Sequence, residues 1–353
     1  MHDDHQHDDH QHDDHGDGEH GDAEHTHEIA HRHSHHVVAG DAAAVAPAVA
    51  PKRLADGVVE LDTMLGGWTQ VTAGYLLEGP RPVLVETGAQ SSVPTLLAAL
   101  DAIGVGPHDL AGVVVTHIHL DHAGGVGDVA AAFPDATVYV HEKGARHLAD
   151  PTRLVASAAQ VYGDLLDSLY GRLTATDAER IHVLEDLEEI DLGGGRSLCA
   201  VDSPGHAKHH LGLHDSLSGI LFAGDAVGVR LPDIGVLRPA TPPPDFDLHQ
   251  ARASLRRFAE RRPVGIALAH YGLLDDPEGL LAEADEVLVD WAEVAETAWR
   301  DGADIAAALS DAFALTGVAP VHLEKAEVLS GVHSNAAGLR RFFEAQERDA
   351  PTS

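Results

Sequence analysis

The chain has 353 residues, a formal net charge of −34 and one cysteine, Cys199. That length holds one large domain or two smaller ones with ample material for a core, while the charge opposes binding to a phosphate backbone, which needs Lys and Arg to neutralise it. A single cysteine excludes an intrachain disulfide and fits a reducing compartment. No run approaches the roughly 20 apolar residues of a membrane span, and no basic start leads into an apolar stretch at the N-terminus. The expectations are therefore no nucleic-acid partner, no membrane partner and a cytoplasmic location.

Residues 1–36 form a low-complexity tail in which His-Asp-Asp-His-Gln recurs at His2 and His7, and at His12 with Gly16 in the last place. The tail holds one arginine, Arg32, against eleven acidic residues, a balance of −10, which leaves −24 for the rest (22 basic against 46 acidic). With almost no apolar residues it cannot bury a core and is expected to be disordered. Its histidines alternate with carboxylates, which points to additional metal ions held weakly on the tail; a solubilising acidic tail is the alternative. The Ala/Val/Pro run of residues 37–51 reads as a linker.

The folded part is predicted to begin near Arg53. Residues 69–77 and 83–86, joined through Gly79-Pro80, read as an antiparallel hairpin. Helical character follows at 94–103, then an apolar strand over 113–116, a helix over 126–133 and a strand over 137–141. Residues 142–171 read as mostly helical. There Tyr162, Leu166 and Tyr170 either line a functional face or pack in the core, with the core preferred. Strands are predicted at 197–202, 211–213, 220–223 and 265–269, and Cys199 reads as a small core residue of the first. From 276 to 345 the pattern is helical alone, at 280–300, 305–313, 323–329 and 338–347. Interleaved strands and helices followed by helices only predict a layered α/β domain with a helical appendage. The division is 1–52 for tail and linker, 53–275 for the main domain and 276–353 for the helical extension.

Chemistry concentrates in Thr116-His117-Ile118-His119-Leu120-Asp121-His122, followed by Ala123-Gly124-Gly125. In extended backbone, residues two apart project to one side, so His117 and His119 can converge on one cation. Asp121 and His122 come as the chain turns and can aim at a second. Imidazole with carboxylate suits zinc, iron or manganese. The tail shows that histidines also cluster through repetition, but this group follows a strand-like run and precedes glycines. Three later positions stand at predicted strand ends, where a rigid sheet can hold a ligand. These are His206 in Ser203-Pro204-Gly205-His206, Asp225 in Phe222-Ala223-Gly224-Asp225, and His270 in Ala267-Leu268-Ala269-His270-Tyr271. Taken singly, Asp225 reads as a helix cap and either histidine as loop surface.

His-x-His-x-Asp-His followed in order by His, Asp and His resembles the signature of the metallo-β-lactamase superfamily, over about residues 54–272. The resemblance implies a four-layer αββα sandwich with a metal site at one edge between the sheets. It also implies that His117, His119 and His206 bind a first metal, that Asp121, His122 and His270 bind a second, and that Asp225 bridges them. Glu86-Thr87-Gly88 stands where the family has Asp-Thr-Gly, a replacement expected to alter a contact behind the ligands without removing one. Pro204-Gly205-His206, with His210 four residues on, resembles the glyoxalase II-like and small hydrolase branches. His210 is thereby a candidate support for the ligands, with surface exposure as its alternative, and His209 has no assigned role. The flavodiiron branch has Glu where His119 stands. The persulfide dioxygenase branch holds a single iron with fewer ligands. The basic glutathione-binding residues of glyoxalase II are not evident.

The resemblance implies a hydrolase in which a hydroxide bridging two divalent metals attacks a small ester, thioester or lactone. Zinc is the expected metal, with iron or manganese as alternatives. Asp225 orients the bridge, and Asp121 accepts a hydrogen bond from the nucleophile or passes a proton. Tyr271 either donates to an oxyanion or is a packed aromatic. Residues 276–345 either cap the site mouth or serve packing or dimerisation, so an oligomer is left open. Two alternatives remain: an iron-dependent persulfide or thiol dioxygenase on the same fold, and a non-enzymatic metal storage or buffering protein acting through the His-rich tail.

Overall fold

Alternation along the strands decides how the layers assemble. The computed structural model describes residues 49–349, so the readings of the tail as disordered and metal-binding fall outside the described residues. The first sheet runs in chain order: β1 (Lys52–Ala55), β2 (Val58–Asp62), β3 (Ala73–Leu77), β4 (Val83–Val85), β5 (Gly112–Val114), β6 (Thr137–His141) and β7 (Ile181–Leu184). Its first three pairings are antiparallel and its last three parallel. The second sheet contains β8 (Glu189–Gly193), β9 (Arg196–Asp202), β10 (Leu211–Asp215), β11 (Ile220–Gly224), β12 (Gly265–Leu268) and β13 (Gly272–Leu274). Only β11 and β12 are parallel in it.

Side chains on a strand alternate between faces. Tyr75, Leu77, Val83 and Val85 therefore turn inward, meeting Leu211, Leu213 and Phe222 of the opposite sheet in one apolar cluster. Leu76 and Leu84 turn outward onto α1 (Val93–Ala102), against Leu96 and Leu100. On the far side Leu221, Ile266 and Leu268 face outward onto α6 (Leu248–Glu260) and α7 (Pro277–Arg300), against Leu255, Phe258, Leu288 and Trp291. The result is helices, sheet, sheet, helices, as the resemblance implied.

The remaining helices are α2 (Leu120–Ala123), α3 (Val126–Ala132), α4 (Glu142–Ala149), α5 (Thr152–Tyr162), α8 (Ile305–Ala312), α9 (Pro320–Ser330) and α10 (Val332–Asp349). The predicted helical stretch 142–171 resolves into α4, α5 and a π-helical turn at Leu166–Tyr170. In that turn Leu166 and Tyr170 are buried in an apolar cluster, the core alternative. Cys199 is buried in β9. Helix α7 starts with Pro277 in its first turn, and the Asp276 side chain accepts from Gly279 N at 3.0 Å, so the N-terminus is capped. The C-terminal helices share one apolar cluster with the outer face of the second sheet, through Ile305, Leu309, Leu339 and Phe342.

Strands β1, β2, β7, β8 and β13 and helix α6 were not expected from pattern. Strand β2 alternates as Val59-Glu60-Leu61-Asp62, but its polar residues Glu60 and Asp62 are buried too, so the alternation marks no solvent face. Helix α6 shows its apolar face at Leu248, Ala251, Leu255 and Phe258 within a polar, arginine-rich run. Among the described residues, no helix is long and apolar enough to cross a membrane.

Candidate metal centre

Parallel pairing of β4, β5 and β6, and of β11 with β12, brings their C-terminal ends to one edge of the sandwich. Histidines 117 and 119 lie in the loop after β5, while Asp121 and His122 occupy the short helix α2. The loop after β9 carries His206, the end of β11 delivers Asp225, and the β12–β13 connection holds His270. All seven predicted ligands are thus drawn together from four strand ends.

They form two triads. His117 Nε2 lies 3.0 Å from His119 Nδ1 and 3.2 Å from His206 Nε2, and the third edge, His206 Nε2 to His119 Nδ1, is 3.0 Å. On the other side His270 Nε2 is 3.2 Å from His122 Nε2 and 3.4 Å from Asp121 Oδ2, with His122 Nε2 3.7 Å from that oxygen. Asp225 lies between. Its Oδ2 is 3.6 Å from His206 Nε2, whereas Oδ1 is 3.4 Å from His122 Nε2 and 3.5 Å from His270 Nε2.

Partners on the far sides of the rings decide what faces inward. A carbonyl only accepts, so His206 Nδ1 donates to Ala240 O at 3.0 Å and His270 Nδ1 donates to Val71 O at 2.8 Å. Burial pushes His206 toward its neutral form, and a neutral ring so fixed presents a bare Nε2 lone pair to the centre. Lone pairs converging about 3 Å apart repel unless something positive lies among them. A tetrahedral zinc with bonds of roughly 2.0–2.1 Å places neighbouring donors about 3.3 Å apart, close to these edges. Asp225 Oδ1 is buried without a hydrogen-bond partner, as expected of an oxygen directed at a cation. Among the described residues, three groups meet the spacing for a metal ion: His117–His119–His206, His117–His122–Asp225 and Asp121–His122–His270.

The electrostatics split along the same line. Burial and the neighbouring imidazoles push His117 well below its ordinary value, bring His119 down to about 3 and lower His206. Burial also opposes charge on His122 and His270, yet Asp225 and Asp121 outweigh it and raise both. Burial likewise opposes ionisation of Asp121 and Asp225, but His122 and His270 hold both carboxyls well below the usual range.

Around this set the supporting candidates divide. His210 is fully buried: its Nε2 accepts from Asp225 N at 3.2 Å, and its Nδ1 donates to Ser203 Oγ at 2.8 Å. Gly224, at φ +50°, makes this approach possible, since a Cβ there would stand 2.6 Å from His210 Nε2. Glu86 is buried at φ +64°, a region that side chains rarely adopt. One of its oxygens accepts from Thr116 N at 2.9 Å, and the other lies 3.4 Å from His122 Nδ1. Tyr271 donates instead to Glu60 Oε1 at 3.1 Å, and its ring joins the inter-sheet cluster, the packed alternative of its two readings. His209, without a role from sequence, accepts from Ile118 N at 3.4 Å and packs edge-on to His119, ring centroids 5.8 Å apart. The carbonyls of Ala240 and Val71 escaped sequence reasoning because a carbonyl leaves no mark on residue type. Ser203 carried a weak signal, adjacent to Pro204-Gly205-His206.

The chain is 30% identical over 211 residues to a metallo-beta-lactamase fold-containing protein of Sulfurisphaera tokodaii, covering 58% of this chain and 74% of that one. It is 30% identical over 162 residues to an acyl-coenzyme A thioesterase of Gallus gallus, covering 43% and 56%. A solved archaeal metallo-beta-lactamase superfamily protein from Sulfolobus tokodaii superposes with a TM-score of 0.61 at 25% identity, over 80% of this chain and 98% of that one. A metallo-beta-lactamase family protein from Thermus thermophilus shares the fold at a TM-score of 0.60 and 19% identity, over 84% and 95%. The model of the family described as the metallo-beta-lactamase superfamily matches residues 66–270, more than half of the sequence, and the chain belongs to that superfamily.

Proposed function

We propose that this protein is a hydrolase that holds two divalent cations and cleaves a small ester, thioester or lactone. His117, His119 and His206 would hold one cation, and Asp121, His122 and His270 the other. The observation that carries this reading is Asp225, whose two oxygens divide between the triads while His206 and His270 direct their Nδ1 protons away from them. Two divalent cations supply Lewis acidity and lower the pKa of water toward neutrality. Zinc is the proposed metal; iron and manganese suit the same donors.

The chain's own residues then have separate tasks. His119 and Asp121 are half-buried while the other five ligands are buried, so a substrate would approach along the side where these two reach the surface. Asp121 would there accept a hydrogen bond from the nucleophile or pass a proton to the leaving group. His210 and Glu86 hold the backbone and ring that present Asp225 and His122. A thioester is the substrate class favoured by the similarity to an acyl-coenzyme A thioesterase.

The test is a panel of esters, thioesters, lactones and phosphodiesters given to the zinc-loaded full-length chain in the absence of oxygen. Turnover of an acyl substrate is expected, and so is its loss on removal of the metal. Turnover that requires iron and consumes oxygen would replace this reading with thiol or persulfide oxygenation.

A further inference from the structure

The carbonyl that orients His206 belongs to a segment clamped from behind by the C-terminal helices. Ala240 O accepts from His206 Nδ1 at 3.0 Å. On one side of Ala240, Pro239 O accepts from Ser330 Oγ at 2.8 Å, at the end of α9. On the other, Thr241 N donates to Asn335 Oδ1 at 2.7 Å, and Thr241 Oγ1 donates to the same oxygen at 2.8 Å, in α10. Asn335 Nδ2 closes the clamp by donating to Ser330 O and Oγ, each at 3.3 Å. Thr241, Ser330 and Asn335 are all buried. Helix α10 also presses on the segment at Gly338, where a Cβ would stand 1.9 Å from Thr241 O.

We propose that Asn335, with Ser330 and Thr241, is a positioning residue for the metal centre. It acts through the Ala240 carbonyl, which fixes the ring plane and tautomer of His206. The C-terminal helices thereby become part of the metal-binding apparatus rather than an outer layer. This rests on the metal-centre reading above. Partners of this kind behind a ligand typically govern affinity by 10–100-fold.

The test is the rate at which a chelator strips metal from full-length chains, read together with the visible spectrum of the cobalt-loaded protein. All variants carry the same His-rich tail, so differences between them report on the folded site. Asn335→Ala is expected to lose metal about tenfold faster or more and to alter the cobalt spectrum. Thr241→Val should shift both readouts in the same direction by less, and Thr241→Ser, which keeps the hydroxyl, should behave as wild type. Leu309→Ala removes a fully buried side chain from the same helical cluster without touching the clamp. It should lower Tm yet leave metal release unchanged. The proposal is overturned if Asn335→Ala and Thr241→Val hold metal as the wild type does, or if Leu309→Ala sheds it as readily as they do. Should Asn335→Ala not fold, Thr241→Val against Thr241→Ser decides. Metal binding that is untouched by His206→Ala overturns the metal-centre reading itself, and this inference with it.

Discussion

The β9–β10 hairpin carries a buried charge cluster at each end, and the two are built oppositely. At one end Arg196 and Asp215 form a bidentate pair, Nε to Oδ1 at 2.7 Å and Nη2 to Oδ2 at 2.8 Å. Arg196 Nη1 donates further to Gly57 O and Glu78 O, and Asp215 accepts from Ser218 N and Oγ. At the other end His206 and His210 join a cluster in which Asp225 Oδ1 has no donor and imidazole lone pairs face one another. Both clusters lie in low-dielectric surroundings, where an unpaired polar group is costly. The first is closed by its own donors and acts as structure. The second lacks such donors, which is the arrangement the proposed cations require.

Breaking each cluster should have a different signature. The largest effect is expected from Asp225→Ala, which removes the one group shared by both triads. Metal content should fall by at least one ion per chain, with hydrolysis down by roughly 10³-fold or more if stabilisation of the reacting oxygen is lost with it. Metal analysis alongside turnover checks this; retention of both metals with full turnover would remove Asp225 from the shared position. Arg196→Met should do the reverse. It leaves Asp215 buried and unpaired, a loss of about 3–5 kcal/mol, while metal content stays at the wild-type level. Chemical denaturation read beside metal analysis separates the two, and metal loss from Arg196→Met would show that the hairpin ends are coupled.

Acid should separate the clusters in order. Burial raises the Asp215 carboxyl, but Arg196 and Ser218 outweigh it, so the folded value lies below the ordinary one. The stability contributed by a depressed carboxyl is present above its unfolded value of about 3.9 and is lost as pH falls through the folded value. At the metal centre, His122 and His270 are raised by Asp225 and Asp121. Their protonated forms favour the metal-free protein, and falling pH favours those forms. Metal release should therefore precede unfolding as pH falls, seen by following chelatable metal and circular dichroism in one titration. Simultaneous loss would mean that the metals themselves hold the fold together.

Legibility in the sequence follows the same contrast. The residues of the two triads were readable because imidazole and carboxylate are metal-binding types and the groups stand at the ends of apolar runs: His117 after β5, His206 after β9, Asp225 after β11 and His270 after β12. Their order carried the family resemblance, and with it the four layers. The Arg196–Asp215 pair was not readable, because its members stand 19 residues apart across a hairpin and each alone resembles a surface residue. The Ala240 and Val71 carbonyls were invisible for a deeper reason, since any residue could supply them. Helix α10 showed only its periodicity, so nothing in the sequence linked Asn335 to Thr241. Placement of ligands thus follows local pattern, while their orientation depends on tertiary contacts that residue types do not announce.

The smallest expected effect comes from Glu86, where this chain departs from the Asp-Thr-Gly turn usual in the family. The longer side chain holds Thr116 N with one oxygen and places the other 3.4 Å from His122 Nδ1. That second contact is longer than a hydrogen bond, so it orients His122 chiefly through charge. Glu86→Gln keeps the acceptor for Thr116 N and removes only the charge. Affinity should fall at the Asp121–His122–His270 side by at most about tenfold, the low end for partners behind metal ligands, with the His117–His119–His206 side unchanged. Stepwise metal titration would register a shift of one step alone. If both steps moved equally, Glu86 would be acting through the Thr116 backbone that carries the whole motif, and its charge would be incidental.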